Sequence, residues 1–233
     1  MSTIPVLMYH SVSNNNQRMS VTIDNFFAQM KLMIKLGFGS VNLKDVLKKT
    51  DKKKFVITFD DGYEDVYYNA LPILKELNLY ATCFFVTNQI GKHNNWDSKR
   101  NNYKEMQLMN EEQIYHWNEI GLEVGSHSLD HKNLKVLNIN NKTEQIVHSK
   151  TFFKKKFNID IKSFSYPYGM YDDDSAEIVK NNYEFAVTTK RSRYKTDTFD
   201  VVKIPRIPIN FDTSIYKFLI KILTFYEDIK FNS

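Results

Sequence analysis

The sequence predicts an α/β protein in which parallel strands, closed as a barrel or left as an open sheet, carry helices on the outside. Three observations support this. Short apolar runs alternate with segments of helical period along the whole chain. With 42% hydrophobic residues, among them 17 Phe and 14 Tyr, the chain can bury a sizeable core. The single cysteine, Cys83, lies in the apolar run Ala81–Val86 and reads as a buried strand thiol, so no intrachain disulfide stands in for that core. No repeat, Pro/Ser linker or low-complexity tract breaks the rhythm, and residues 1–233 read as one domain.

In chain order, Pro5–Tyr9 is a short apolar run. Ile23–Leu36 places Ile23, Phe26, Phe27, Met30, Met33 and Ile34 at helical spacing, with Gly37 as its stop. Phe55–Phe59 reads as a buried strand. Tyr67–Leu77 reads as a helix that Pro72 should kink or break early. Tyr80–Val86 is the next strand, and the polar stretch Gly91–Tyr103, with Trp96 in it, is the longest loop. Glu111–Ile120 is a helix, Leu122–Val124 a strand, and Lys142–Phe157 a helix. Ser163–Tyr166 is a strand, and Asp172-Asp173-Asp174 opens the helix Ser175–Asn181, its carboxylates favoured at the positive end of the helix dipole. Phe185–Thr189 is a strand. The segment 215–231 reads as a final helix with Ile215, Phe218, Leu219, Ile222, Leu223 and Tyr226 on one face and Lys217 and Lys221 off it.

The net charge of +5 comes from 32 Lys+Arg against 27 Asp+Glu, a small and scattered excess that gives no argument for nucleic acid. The dense run Lys48–Lys54 precedes a strand and reads as a solvated loop. The start, Met1-Ser2-Thr3-Ile4-Pro5, has no basic region followed by an apolar one, and the expectation drawn from it is a cytoplasmic protein. The basic amphipathic pattern of 215–231 adds the expectation of peripheral contact with a membrane surface, beside the plainer reading of a helix packed on the domain.

Three segments carry chemistry. Phe55-Val56-Ile57-Thr58-Phe59-Asp60-Asp61-Gly62-Tyr63 runs an apolar strand into two adjacent carboxylates, at the end where α/β folds place their sites. Successive residues leaving a strand point different ways, so Asp60 and Asp61 can serve different partners; Asp-Gly is equally a common turn pair. Leu122–His131 contains His127 and His131, whose imidazoles converge if the segment turns as a helix does. Two imidazoles and one carboxylate would leave a zinc ion open positions for water. Phe164-Ser165-Tyr166-Pro167-Tyr168-Gly169 ends a strand in a turn able to aim the Tyr168 N–H into a cavity.

Together these segments, in this order, resemble the polysaccharide deacetylases, the NodB-homology or carbohydrate esterase family 4 group. The resemblance includes Pro5–His10 and Leu108–Ile114 and covers roughly residues 4–210. It implies a distorted (β/α) barrel with fewer than eight full βα units. It also implies metal-dependent hydrolysis of the N-acetyl group of an amino sugar: a polysaccharide, an oligosaccharide, or a lipid- or nucleotide-linked precursor of the cell envelope. By the same resemblance Asp61, His127 and His131 hold the metal, zinc first, with cobalt, nickel and iron also compatible with the donor set. Asp60 is the general base, and the Tyr168 N–H meets the oxyanion.

Two departures from the family pattern bear on the site. Many members have an arginine where Ser165 stands, paired with the catalytic aspartate; Arg206, in Ile204-Pro205-Arg206-Ile207-Pro208, is the candidate replacement. Many also carry a late histidine as general acid, whereas none of the six histidines here lies beyond His148. The poly-N-acetylglucosamine deacetylase branch uses an early Tyr-His pair instead, and Tyr9-His10 resembles it. Those departures also admit the alternative of a catalytically inactive carbohydrate-binding barrel. Trp96, Tyr166 and Tyr171 are the aromatic candidates for stacking on sugar faces.

Overall fold

In a computed structural model, which describes residues 3–15, 17–99 and 103–231, seven parallel strands close on one another. They are β1 (Val6–Tyr9), β3 (Lys53–Phe59), β4 (Thr82–Phe85), β5 (Glu123–Ser126), β6 (Ser163–Ser165), β7 (Phe185–Arg191) and β8 (Ile204–Pro208). The order round the ring is β1-β8-β7-β6-β5-β4-β3, and β3 returns to β1. An eighth strand, β2 (Phe38–Val41), adds to the first half of β3. This is the distorted barrel that the resemblance implied.

Alternation along the strands decides what the barrel encloses. On β3, Phe55, Ile57 and Phe59 join the large core that packs beneath the helices, whereas Val56 belongs to a smaller cluster with Val6, Phe84, Val187 and Ile204. The inward register continues to Thr58 and then Asp60 on β3, and to Arg206 on β8. Gly125 faces inward on β5: a Cβ there would lie 2.5 Å from the Phe84 ring, so only glycine lets that ring fill the interior. At the lower end Glu123 is buried and fully engaged. Its carboxylate accepts from Ser163 Oγ at 2.5 Å, Thr82 Oγ1 at 2.8 Å and the Lys44 N–H at 2.9 Å, and so ties β4, β5 and β6 together.

Helices follow the strands: α1 (Ile23–Lys35), α2 (Leu71–Glu76), α3 (Glu111–Glu119), α4 (Ile139–Thr143), α5 (Ser149–Phe157), α6 (Asp173–Asn182), α7 (Ile215–Leu223) and α8 (Tyr226–Lys230). Asn110 and Gln113 form a reciprocal capping box on α3, and Asp172 with Ser175 forms one on α6, so the acidic run does open a helix. Pro72 falls within a run that stays helical over 64–76, directly after a π-helical turn, Val66–Ala70, which widens the helix where the proline has no N–H to give.

The structure corrects the sequence reading in three places. The expected continuous helix over 215–231 is broken: Thr224 is extended, and α8 starts afresh. Only Phe218 and Ile222 of the predicted apolar face are fully buried among α7 residues, while Leu223 and Tyr226 are exposed. Strands β2 and β8 carry no apolar-run signal: β2 contains Gly39 and Ser40 and is half-buried, and β8 contains two prolines. Pro205 sits where β8 pairs irregularly with β7, whose register shifts between Val187 and Arg191, and Pro208 ends the strand opposite Met8 of β1. Among the described residues no helix is long and apolar enough to cross a membrane.

Burial raises the Glu123 carboxyl above its ordinary 4.5 despite the bonds from Ser163, Lys44 and Thr82. The folded chain therefore holds this proton more tightly than the unfolded chain, and the group's contribution to stability falls as pH climbs above 4.5. Glu123→Gln removes the titration. Urea denaturation at a series of pH values should show a wild-type decline in stability over that range that is shallower in the variant; parallel slopes would contradict the assignment.

Candidate active site

The upper rim of the barrel gathers the polar residues that the sequence singled out. The β1–β3 register sets Tyr9 opposite Phe59, and the Asp60 N–H donates to the Tyr9 carbonyl at 3.0 Å. His10 and Asp60 therefore leave the rim side by side. Asp60 keeps the inward register of β3. At Asp61 the chain enters the left-handed region, φ +73°, followed by Gly62 at +75°. This reversal turns the second carboxylate away from the first. Gly62 is obligatory, because a Cβ there would meet the Phe85 ring at 2.5 Å.

Arg206 is wholly buried and forms a bidentate pair with Asp60, Nη1 to Oδ1 and Nη2 to Oδ2, each 2.7 Å. Its remaining donors reach the Thr188 carbonyl (Nε, 2.9 Å), Thr58 Oγ1 (Nη1, 3.1 Å) and Ser165 Oγ (Nη2, 3.3 Å). All five guanidinium N–H positions are thus used. Burial alone would raise the Asp60 carboxyl, but the charge and hydrogen bonds of Arg206 outweigh it and hold the group well below the ordinary carboxylate range.

Asp61, His127 and His131 form a buried group whose donor atoms lie within 4.8 Å of one another. Asp61 Oδ1 is 3.5 Å from His127 Nε2 and 3.4 Å from His131 Nε2. His127 Nδ1 is 2.7 Å from the Ser165 carbonyl. A carbonyl can only accept, so Nδ1 carries the proton and Nε2 presents its lone pair towards Asp61. Burial lowers the His127 pKa, which favours the neutral, ligating form. Asp61 Oδ1 is buried and takes no hydrogen bond from the described residues. A carboxylate oxygen in that condition, facing two imidazole nitrogens, fits a divalent cation.

The two histidines do not converge on a helix, as the spacing suggested. Residues 128–130 form a turn, with Ser128 at φ +67° and His131 at +56°. The turn is fixed by its own hydroxyls, Ser126 Oγ accepting from the Ser128 N–H and Ser128 Oγ from the His131 N–H. Gln145 and Asn88 hold Asp130 from outside.

His10 is buried, and its Nδ1 finds no hydrogen-bond partner among the described residues. Burial lowers its pKa to about 4, with Asp60 opposing and Arg206 and His127 reinforcing the shift. It is a neutral imidazole at ordinary pH, and it lines a cavity of about 390 Å3 with Tyr63, Asn94 and Asp97. The Tyr168 backbone, at φ +58°, lies inside the tight turn Pro167–Gly169, and its ring stands edge-on to His131 at 4.4 Å. The Tyr168 hydroxyl lies 3.5 Å from Asp97 Oδ1.

The aromatic candidates separate. Tyr166 is a correction: it is fully buried, donates to the Val202 carbonyl at 3.1 Å and packs on Phe164, so it belongs to the core and not to the mouth. Trp96 spends one ring face on His131, stacked at 4.8 Å, and so backs one member of the donor group. Tyr171 is half-buried, with one face against Tyr166. Two residues at the site were given no role from sequence. The Tyr63 hydroxyl favours the ionised form of Asp61 and accepts from Asn94 Nδ2 at 3.3 Å. Asp97 adds a negative charge that, after burial and Asp60, helps push Asp61 upward. Tyr63 stood within the Asp60-Asp61-Gly62-Tyr63 motif, and Asp97 beside Trp96.

The profile of a family described as polysaccharide deacetylase matches residues 47–185, more than half of the chain. The Bacillus subtilis protein YxkH, whose name places it provisionally among the polysaccharide deacetylases, is 32% identical over 195 residues. That match takes in 80% of this chain but only 64% of YxkH, so the chain spans just under two-thirds of that relative. A poly-β-1,6-N-acetyl-D-glucosamine N-deacetylase of Staphylococcus epidermidis is 28% identical over 87% of this chain and 72% of its own length. The crystal structure of a polysaccharide deacetylase from Bacillus cereus superposes with a TM-score of 0.80 at 25% identity, over 94% of this chain and 69% of the other.

Two outcomes test this geometry. Asp61→Ala or His127→Ala should sharply lower bound divalent metal, measured by mass spectrometry after zinc loading and desalting, whereas Asp60→Asn should retain it. Full occupancy in Asp61→Ala would remove the assignment. Arg206→Met strands a buried carboxylate and should destabilise the fold by about 3–5 kcal/mol. The double change Arg206→Met with Asp60→Asn should recover much of that loss in urea denaturation, because no unpaired charge remains.

Proposed function

The chain belongs to the polysaccharide deacetylase family, and we propose that it hydrolyses the N-acetyl group of an acetylated amino sugar, releasing acetate and a free amine. One observation carries the reading: an ionised carboxylate, Asp60, stands on the same barrel rim as the buried Asp61–His127–His131 donor group and a neutral imidazole, His10. The similarity to a poly-β-1,6-N-acetyl-D-glucosamine N-deacetylase supports β-linked N-acetylglucosamine as the first substrate to try.

An amide is a weak electrophile with a poor leaving group. A divalent ion held by Asp61, His127 and His131, for which zinc is our first assignment, would lower the pKa of water and polarise the acetyl carbonyl. The protein's own residues do the rest. Arg206 keeps Asp60 ionised and fixes both of its oxygens, so the carboxylate is ready to accept the proton that the attacking water gives up. Tyr168 is assigned the oxyanion: its main chain is set beside the ligands by the contact of its ring with His131, and a lost oxyanion donor typically costs ~10²–10³ in rate. As the C–N bond breaks, the amine must gain a proton. His10 reaches the reaction neutral, so it carries no spare proton of its own. We assign it the delivery to nitrogen of the proton taken from water, passed along the rim from its neighbour Asp60. Trp96 covers the outer face of His131 and keeps water from that ligand.

The test is acetate release from β-1,6-linked N-acetylglucosamine oligomers by the zinc-loaded protein. His10→Gln and Asp60→Asn should each lower turnover by about 10²–10⁴ and leave metal content unchanged. Activated acetyl esters, whose leaving groups need little protonation, should suffer less from His10→Gln. Binding of the oligomers with no acetate release would replace this reading by the inactive carbohydrate-binding barrel.

A further inference from the structure

The cavity beside His10 does not end at the reaction groove. Arg18 and Asn210 line it, and the same two residues line a second cavity of about 890 Å3 bounded by α7 and α8. The Phe211 N–H donates to the Arg18 carbonyl at 3.2 Å, which fixes the shared wall between them. The second cavity is markedly basic: Arg18, Arg191, Lys217, Lys221 and Lys230 line it, with Asp212 as the acidic member.

Two of these cations have no acidic partner among the described residues. Lys217 is answered by Asp212 at 3.0 Å. Arg191 and Lys221 both bond the one carboxylate of Glu227, which is buried behind the wall. Arg18 and Lys230 make no ion pair with any described residue, and Lys230 donates instead to the Tyr226 hydroxyl at 2.8 Å. A merely solvated basic face would spread such groups over a convex surface. Here they surround a concavity, Lys221 is only 9% exposed, and Tyr226 and Phe231 supply apolar wall. Low-dielectric walls around like charges focus the potential into the space they enclose. Guanidinium and ammonium groups lining one space from several sides suit a group with several anionic oxygens better than a single carboxylate.

We propose that this cavity binds a phosphoryl group carried by the substrate, so that the acetylated amino sugar presented to the groove belongs to a phosphate ester. The inference rests on the deacetylase reading for the identity of the sugar, but the anion site itself is independent of it.

Calorimetric titration of inorganic phosphate and of N-acetylglucosamine 1-phosphate into the full chain tests the site. Binding should weaken as salt rises, and an Arg18→Gln, Lys230→Gln double variant should lose it. Should that variant fail to fold, Arg18→Gln alone should weaken binding more than Lys217→Gln, which leaves both unpaired cations in place. Kinetically, a β-1,6-linked N-acetylglucosamine trimer with a phosphate at its reducing end should be preferred over the plain trimer on the order of tenfold in kcat/KM. That ratio should fall towards one in the double variant. No phosphate binding, or binding indifferent to these substitutions, overturns the proposal. So does attachment to phosphatidylglycerol vesicles through Arg18 and Lys230 with no binding of either soluble phosphate. Phosphate binding lost in the variant while no sugar yields acetate would sink the deacetylase reading and leave the site standing. Acetate release with equal preference for both trimers would do the reverse.

Discussion

A guanidinium ion closed off from water has to be matched by donors and charge on every side, or its desolvation costs several kcal/mol. Arg206 meets that condition in the barrel interior, and the rest of the site depends on how it does so. Its contacts come from β3, β6, β7 and the turn beyond β3, through Thr58, Ser165, Thr188 and Asp60. The pair therefore holds strand ends from opposite sides of the ring at one spacing. The same bidentate contact leaves Asp60 ionised and unable to rotate. Stability and reactivity thus share one interaction: the charge that makes Asp60 affordable inside the barrel also makes it a weaker but permanently available base.

The division of labour between two adjacent carboxylates is a backbone effect. Six non-glycine residues of the described chain have positive φ, and Asp61, Ser128, His131 and Tyr168 are four of them. The other two, Asn78 and Asn158, stand just beyond helices, where asparagine accepts that conformation at little cost. Left-handed backbone at an aspartate, a serine, a histidine and a tyrosine is less ordinary, and here it clusters where three loops meet at the donor group. Such strain persists only where the surroundings over-determine it. The hydroxyl bonds within the 126–131 turn, and the enclosure of Gly62 by Phe85, are those surroundings.

Much of this was legible in sequence because buried parallel strands and capped helices write strong local patterns. Asp60, Asp61, His127 and His10 stood at or just beyond the ends of such runs with His131 close after, whereas Arg206 was singled out only through the resemblance, as the candidate for the arginine missing at Ser165. What escaped had a local pattern that pointed elsewhere. Strand β8 holds Pro205 and Pro208, which read as turn residues, and only the closure of the ring makes them strand. Strand β2 is half-buried and interrupted by Gly39 and Ser40, so no apolar run announces it. The spacing of His127 and His131 suggested a helix, but a turn with two left-handed residues brings them together equally well, and four-residue spacing cannot distinguish these. Tyr166 lay beside the motif residues yet points into the core, where its hydroxyl meets the Val202 carbonyl. Asp97 and Trp96 reach the donor group from a long loop whose path no periodicity describes.

The closure of the barrel also explains why an arginine can stand on β8 where the family pattern expects it at the end of β6. Inside a narrow ring the inward side chains of different strands share one small volume, so a guanidinium can reach Asp60 from more than one of them. Position 165 and position 206 then compete for the same space. Ser165 is small enough to leave that space to Arg206, and its hydroxyl lies 3.3 Å from Nη2, so it serves as a partner of the guanidinium that displaced its counterpart. An arginine at both positions would set two buried cations on one carboxylate, and at neither would leave Asp60 buried and unpaired. Either arrangement is costly enough that the two positions act as one. Read separately, Ser165 looks like a lost residue and Arg206 like a stray one; in the folded ring they are a single exchange that returns the same charge to the same carboxylate.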